Sequence, residues 1–229
     1  MKAKALLLFS LILASCASKQ WSASHPYYRE TPSAQEEIPL LGLHHAVVVT
    51  RDKWFAKHLD IPRDSVYILL GKQAEEAFTK ELQSIHYPNL SIWPDSVYEK
   101  LPEETQKLDE KIYIKGRFPA QGVSLKSPDG KTPKHLILIH EWTLGLDLKK
   151  DNFFDYTLVN NEEETKRTSE SLTVILSYTL WDNFKQRALY SAVAEVPLAI
   201  PHDIQPGDVS KISAFAADSL VAGIDGGIR

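Results

Sequence analysis

Residues 172–196 read LTVILSYTLWDNFKQRALYSAVAEV. The first ten alternate, with Leu172, Val174, Leu176, Tyr178 and Leu180 on one side and Thr173, Ile175, Ser177, Thr179 and Trp181 on the other. Successive side chains of a strand point to opposite faces, so this is a strand with one apolar face. The polar run Asp182-Asn183-Phe184-Lys185-Gln186 turns the chain, and Arg187 to Val196 returns as its antiparallel partner. A fold built on this hairpin has an antiparallel sheet at its centre.

Upstream, His135 to Trp142 (HLILIHEW) is nearly continuously apolar and fits a strand covered on both faces. Leu43 to Val49 (LHHAVVV) is β-branched and reads as a first strand, and Asn89 to Trp93 (NLSIW) as a short one. Between them Leu70, Ala74, Ala77, Phe78, Leu82 and Ile85 recur at helical spacing after a cap at Asp64 or Ser65. Asp95 is expected to cap a second helix over Ser96 to Leu101. The acidic stretch that follows reads as a solvated helix or loop, with Ile112 to Phe118 as an edge strand. Downstream, Asp208 is expected to cap a last helix carrying Val209, Ile212, Phe215, Ala216 and Leu220. The expectation is therefore α+β: a single mixed, mainly antiparallel sheet with two to three helices packed on it, spanning one globular domain over residues 40–229.

The N-terminus carries the clearest address. Lys2 and Lys4 precede an apolar run from Ala5 to Leu13 that is too short to span a bilayer. It ends in Leu13-Ala14-Ser15-Cys16, which resembles the lipobox of bacterial lipoprotein signal peptides. The resemblance implies cleavage after Ser15 and acylation of Cys16, so residues 1–15 are read as a signal peptide and 16–39 as a lipidated, polar tether. It also implies a membrane partner through lipid on Cys16. Ala17 after the cysteine points to the outer membrane, with the domain facing the periplasm. Cys16 is the sole cysteine, which excludes disulfides and cysteine-based zinc sites from the domain.

Loss of residues 1–15 takes Lys2 and Lys4 from the 26 basic residues and leaves 24 against 30 acidic ones, a formal charge of −6. An acidic chain lacks the basic footprint of a nucleic-acid binder. By the same reasoning it offers no second electrostatic anchor to anionic lipid.

The succession of elements, together with the Leu180-Trp181-Asp182-Asn183 turn, resembles the small α/β domain of the TolB N-terminal and CsgG-type lipoprotein families over roughly residues 43–224. Those turns usually hold a glycine, and Asn183 is expected to take its left-handed place here. The resemblance implies an envelope scaffold or assembly role and brings no catalytic residues with it.

Chemistry-bearing motifs are sparse. His140-Glu141-Trp142 begins like a zincin motif, but position 144 is Leu rather than His. His44 and His45, on a strand, would point to opposite faces and could not chelate one metal. No P-loop, dinucleotide fingerprint or nucleophile elbow appears, so no catalytic residue, metal or cofactor is assigned. His140 and Glu141 could join Asp182 and Glu195 across adjacent strands as a polar cluster. Trp142 and Trp181 could line a stacking surface for a sugar or a protein. Three readings remain: a non-enzymatic lipid-anchored module that binds or scaffolds another envelope component, a lipoprotein that binds a polysaccharide or small ligand, and a lipid-anchored hydrolase.

Overall fold

The computed structural model describes residues 19–26, 28–29, 31–108, 113–127, 129–149, 169–200 and 203–227. Its centre is three long antiparallel strands: β7 (His135–Lys149), β8 (Ser169–Asp182) and β9 (Arg187–Ile200). The alternation read from residues 172–181 holds. Leu172, Val174, Leu176, Tyr178 and Leu180 are buried in the principal core, and Trp181 lies in a second core on the other face. β1 (Lys19–Ser24) extends the sheet antiparallel beyond β9. On the other side β2 (Ile38–Leu41) pairs parallel with β7 and with β4 (Leu90–Ile92), giving the order β1-β9-β8-β7-β2-β4. The fold is thus α+β on a mixed, seven-stranded sheet, because β3 (Val47–Val49) also pairs with β7.

One residue of β7 sets much of the architecture. A bulge between Ile139 and Glu141 shifts the register against β8. Ile137 and Ile139 before it, and Trp142, Leu144 and Leu146 after it, therefore all face the principal core. β2 pairs with β7 before this point and β3 after it, and the one-turn helix α1 (Leu43–Ala46) fills the interval. Gly42 opens that turn at φ 82, where a β-carbon would come within 2.5 Å of the Ile139 carbonyl oxygen. The expected strand over Leu43–Val49 is accordingly split, and His44 and His45 lie in the helical turn rather than on alternate faces of a strand.

Helices cover one face of the sheet. α2 (Asp52–Leu59) is followed by α3 (Arg63–Glu81), capped by Pro62 rather than by Asp64 or Ser65. Val66, Leu70, Ala74 and Phe78 are buried, and α3 packs on β3 beside them. A π-helical turn over Leu82–His86 then changes the phase, so Leu82 is buried but Ile85 is turned out to solvent. α5 (Pro206–Gly226) packs on β8, β9 and α3 through Val209, Ile212, Ala216 and Leu220. Its cap is Gln205. Asp208 sits a turn further in and accepts the Gln205 N–H at 2.9 Å, completing a capping box.

Two segments differ from their sequence reading. Glu103–Lys107 (β5) is a strand where a solvated helix or loop was expected, and it pairs antiparallel with Tyr113–Arg117 (β6), the edge strand expected over Ile112–Phe118, as a separate ribbon. Ile114 and the following Phe118 pack down on Leu136, Leu138, Trp93, Tyr98 and Trp181, while charged side chains face outward and mask the strand pattern. Upstream, the second helix is only one turn, α4 (Asp95–Tyr98), entered from Pro94. The segment read as a polar tether meets folded structure from Lys19 onward: β1 joins the sheet edge, Tyr28 is buried and all four residues of β2 are in the core. No described helix is long and apolar enough to cross a membrane.

Candidate functional site

The strongest polar constellation lies under the β5–β6 ribbon, at the β7 bulge. The bulge aims His140 away from the helices and into the space between sheet and ribbon. Gly116 of β6 makes that space: a β-carbon there would overlap the imidazole. The Phe118 ring stands 4.6 Å from the imidazole centroid. Tyr98 Oη lies 3.1 Å from His140 Nδ1, and Thr179 Oγ1 lies 3.0 Å from Nε2. Thr179 continues to Ser191 Oγ at 2.9 Å, and Ser191 donates to Gln106 Oε1 at 3.2 Å.

These partners assign the protons. Tyr98 accepts the Arg117 N–H and donates to Nδ1. The ring then carries its proton on Nε2 and donates to Thr179, from which the hydroxyls pass on to the Gln106 carbonyl. Burial pushes the His140 pKa down to about 3, so the ring stays neutral at ordinary pH. Both ring nitrogens are occupied, and the chain ends on a carboxamide rather than a carboxylate. The arrangement clamps β5, β6, β7, β8 and β9 together and has no acid to stabilise an imidazolium during proton transfer.

The other residues singled out from sequence are dispersed. Glu141 is exposed and accepts a hydrogen bond from the Thr143 hydroxyl at 2.9 Å. It stands opposite Ser177, whereas Glu195 stands opposite Ile175 and Asp182 opposite His135. The proposed carboxylate–histidine cluster is therefore not assembled. Asp182 instead accepts the Phe184 and Lys185 N–H groups and shapes the β8–β9 turn. The left-handed residue of that turn is Gln186, at φ 54, not Asn183. The buried Asn183 amide joins Leu125 and Pro133, stapling the loop before β7 to the hairpin. Trp142 is fully buried on the helix side, and Trp181 is buried beneath the ribbon on the other. Neither presents a ring to solvent, so the stacking surface expected of this pair does not form. Cys16 and the flanking Leu13, Ala14 and Ser15 lie outside the described residues.

Two features escaped the sequence reading. Gln20 of β1 donates to the hydroxyls of Tyr178 at 2.7 Å and Tyr190 at 2.9 Å. Tyr178 reaches Leu220 O and Tyr28 reaches Ile224 O, both on α5, where Gly223 leaves room for Gln20 and Tyr178. This tyrosine cluster docks the edge strand. The second feature is a shallow cleft of about 410 Å³ at α2, lined by Arg51, Asp52, Lys53, Trp54 and Lys57. Its sequence signal was the spacing of cations around one indole in RDKWFAK. Among the described residues no group of three His, Asp or Glu side chains is placed to hold a metal ion.

No family model matches the chain, and no curated protein matches its sequence. Among solved structures it is similar to the PelC dodecamer from Paraburkholderia phytofirmans, at 9% identity and a TM-score of 0.40 over 91% of this chain and 97% of that one. It is similar also to a neuraminyllactose-binding hemagglutinin homolog from Helicobacter pylori, at 9% identity and a TM-score of 0.40 over 90% and 91% of the two chains. Similarities at this level carry no argument about function.

Proposed function

We propose that this protein is a lipid-anchored, non-enzymatic module of the bacterial envelope that binds or scaffolds another envelope component. The observation that carries the reading is the shortness of the link between anchor and fold. Only Ala17 and Ser18 separate Cys16 from Lys19, the first residue of β1. At roughly 3.5 Å per residue, an acylated Cys16 would hold the domain within about 11 Å of its lipid. A domain fixed that closely works at the membrane surface rather than at the end of a tether. The closed His140 network supports a structural role for the one histidine that resembled a catalytic residue. Among the described residues β1 and β4 are the edge strands of the sheet, where a partner strand would pair.

The polysaccharide reading stands as the alternative without the Trp142 and Trp181 surface, since both indoles are in the core. Metabolic labelling with a palmitate analogue, followed by affinity capture from the native envelope, tests the proposal. Label on Cys16 and a stoichiometric co-purifying component are expected. Label that persists in a Cys16→Ala variant would overturn the anchor, and an acylated protein that always emerges alone would overturn the binding role. If a defined glycan is captured in place of a protein, the alternative takes its place.

A further inference from the structure

Strand register places the anchor and one surface of the domain at the same end. Lys19, Glu195, Ile175, Thr143 and Val48 form one rung across β1, β9, β8, β7 and β3. β1 runs opposite to β3, so the chain before Lys19 leaves the sheet at the end where β3 passes into Arg51 and α2. The rung spans four strand spacings, about 19 Å. The exit toward Cys16 and the α2 surface thus lie at one end of the sheet, past which β7 and β8 run on for six more pairs, Leu144–Val174 to Lys149–Ser169.

That surface has the chemistry of a membrane interface. Residues 51–63 (RDKWFAKHLDIPR) hold four cations against the carboxylates of Asp52 and Asp60, in a chain of net charge −4. Asp52 is bound by Arg63 at 2.5 Å, and Trp54 lies half-buried among the cations. One turn further, Tyr67, Ile68 and Leu69 are 51%, 65% and 49% exposed. The Arg63–Asp52 pair links the start of α3 to the start of α2. Asp64 follows directly, so residues 51–64 carry four cations and three carboxylates. Single exposed apolar residues are ordinary, but three in succession beside an indole and a basic patch form the set that interfacial segments use.

We propose that this end of the domain, from Arg51 to Leu69, rests against anionic phospholipid headgroups, with Tyr67–Leu69 dipping into the interface. The proposal depends on the reading that Cys16 is acylated. It also revises the sequence-level inference from net charge, which averages away a local basic patch.

With Cys16 acylated, an introduced cysteine is the only free thiol. Full-length Ile68→Cys and Phe184→Cys variants carry an environment-sensitive fluorophore, Phe184 lying in the β8–β9 turn at the opposite end. The acylated proteins are reconstituted in phosphatidylcholine vesicles containing phosphatidylglycerol and a lipid-attached quencher. The label at 68 should be blue-shifted and quenched, and the label at 184 should behave as in water. A protein that floats with the vesicles while both labels stay aqueous overturns the docking and leaves the anchor standing. A protein that does not float overturns the anchor and this proposal together. Adding Arg51→Glu and Lys53→Glu should weaken the contact at 68 about fivefold per cation removed, with flotation unchanged. Undiminished quenching would contradict the headgroup contact.

Discussion

Gly116 of the β5–β6 ribbon lies directly against the imidazole of His140 on the central strand, and a β-carbon at position 116 would overlap the ring. The contact joins the two described sheets at the point where the bulge of β7 turns His140 toward the ribbon.

Gly116→Ala is therefore expected to pry the ribbon from the sheet, at a cost of about 1–3 kcal/mol for overpacking a filled site. Thermal unfolding and near-ultraviolet dichroism of the Trp181 environment would register it. Gly207→Ala, where a β-carbon meets nothing in the first turn of α5, is the control and should be neutral or mildly stabilising. Equal losses in the two variants would mean that the Gly116 contact is not special.

The neutral His140 makes stability pH-dependent with a definite sign. Burial lowers its folded pKa from 6.5 to about 3. Between those values the unfolded chain binds a proton that the native state refuses, so stability falls as pH drops from about 6.5 toward 3. The slope is at most about 1.4 kcal/mol per pH unit. Glu36 also contributes at acid pH: burial raises its carboxyl, but the hydrogen bond and charge of His135 bring it below its ordinary range, so its contribution is likewise lost on acidification. Urea unfolding of the wild type and of His140→Gln across this range separates the two. The variant should be less stable at pH 7 but should lose less on acidification; parallel curves would contradict a neutral buried His140.

Tyr178→Phe removes the acceptor of Gln20 and the donor to Leu220 O while keeping the ring. The expected cost is about 1–2 kcal/mol globally. A further signature should be local: amide exchange along Lys19–Ser24 should accelerate more than exchange in β8. If β1 protection were unchanged, the tyrosine cluster would not be what docks it.

Trp142→Ala should cost about 3–5 kcal/mol, as for a large aromatic removed from a packed core, without loss of any glycan or protein captured by the wild type beyond that explained by unfolding. A stable variant with selectively lost binding would return Trp142 to the surface role first considered for it.

What the amino-acid pattern revealed, and what it concealed, follows from these residues. Strict alternation over Leu172–Trp181 announces both the strand and its buried face. HLILIHEW announces a strand but not its orientation, because a continuous apolar run has no phase. The bulge at His140 then decides that Trp142 faces the helices, whereas Trp181 faces the ribbon by the alternation of β8 itself. The second strand of the ribbon, β6, was legible over Ile112–Phe118, but its partner β5 was hidden because Glu103, Glu104, Thr105 and Lys107 are all exposed and give it no apolar face. Lys19–Ser24 was concealed for a related reason: an edge strand held by Gln20 and two tyrosine hydroxyls needs little hydrophobicity of its own. The His140 network was illegible because Tyr98, Gln106, Thr179 and Ser191 come from four separate segments that only the fold brings together.

The proposed anchoring of this domain at a membrane by Cys16 is tested most directly by intact mass analysis of the protein purified from its native envelope. A mature chain beginning at Cys16 and heavier by a diacylglyceryl group and an amide-linked acyl chain is the expected result. A chain that retains residues 1–15, or one that begins with an unmodified Cys16, would contradict it.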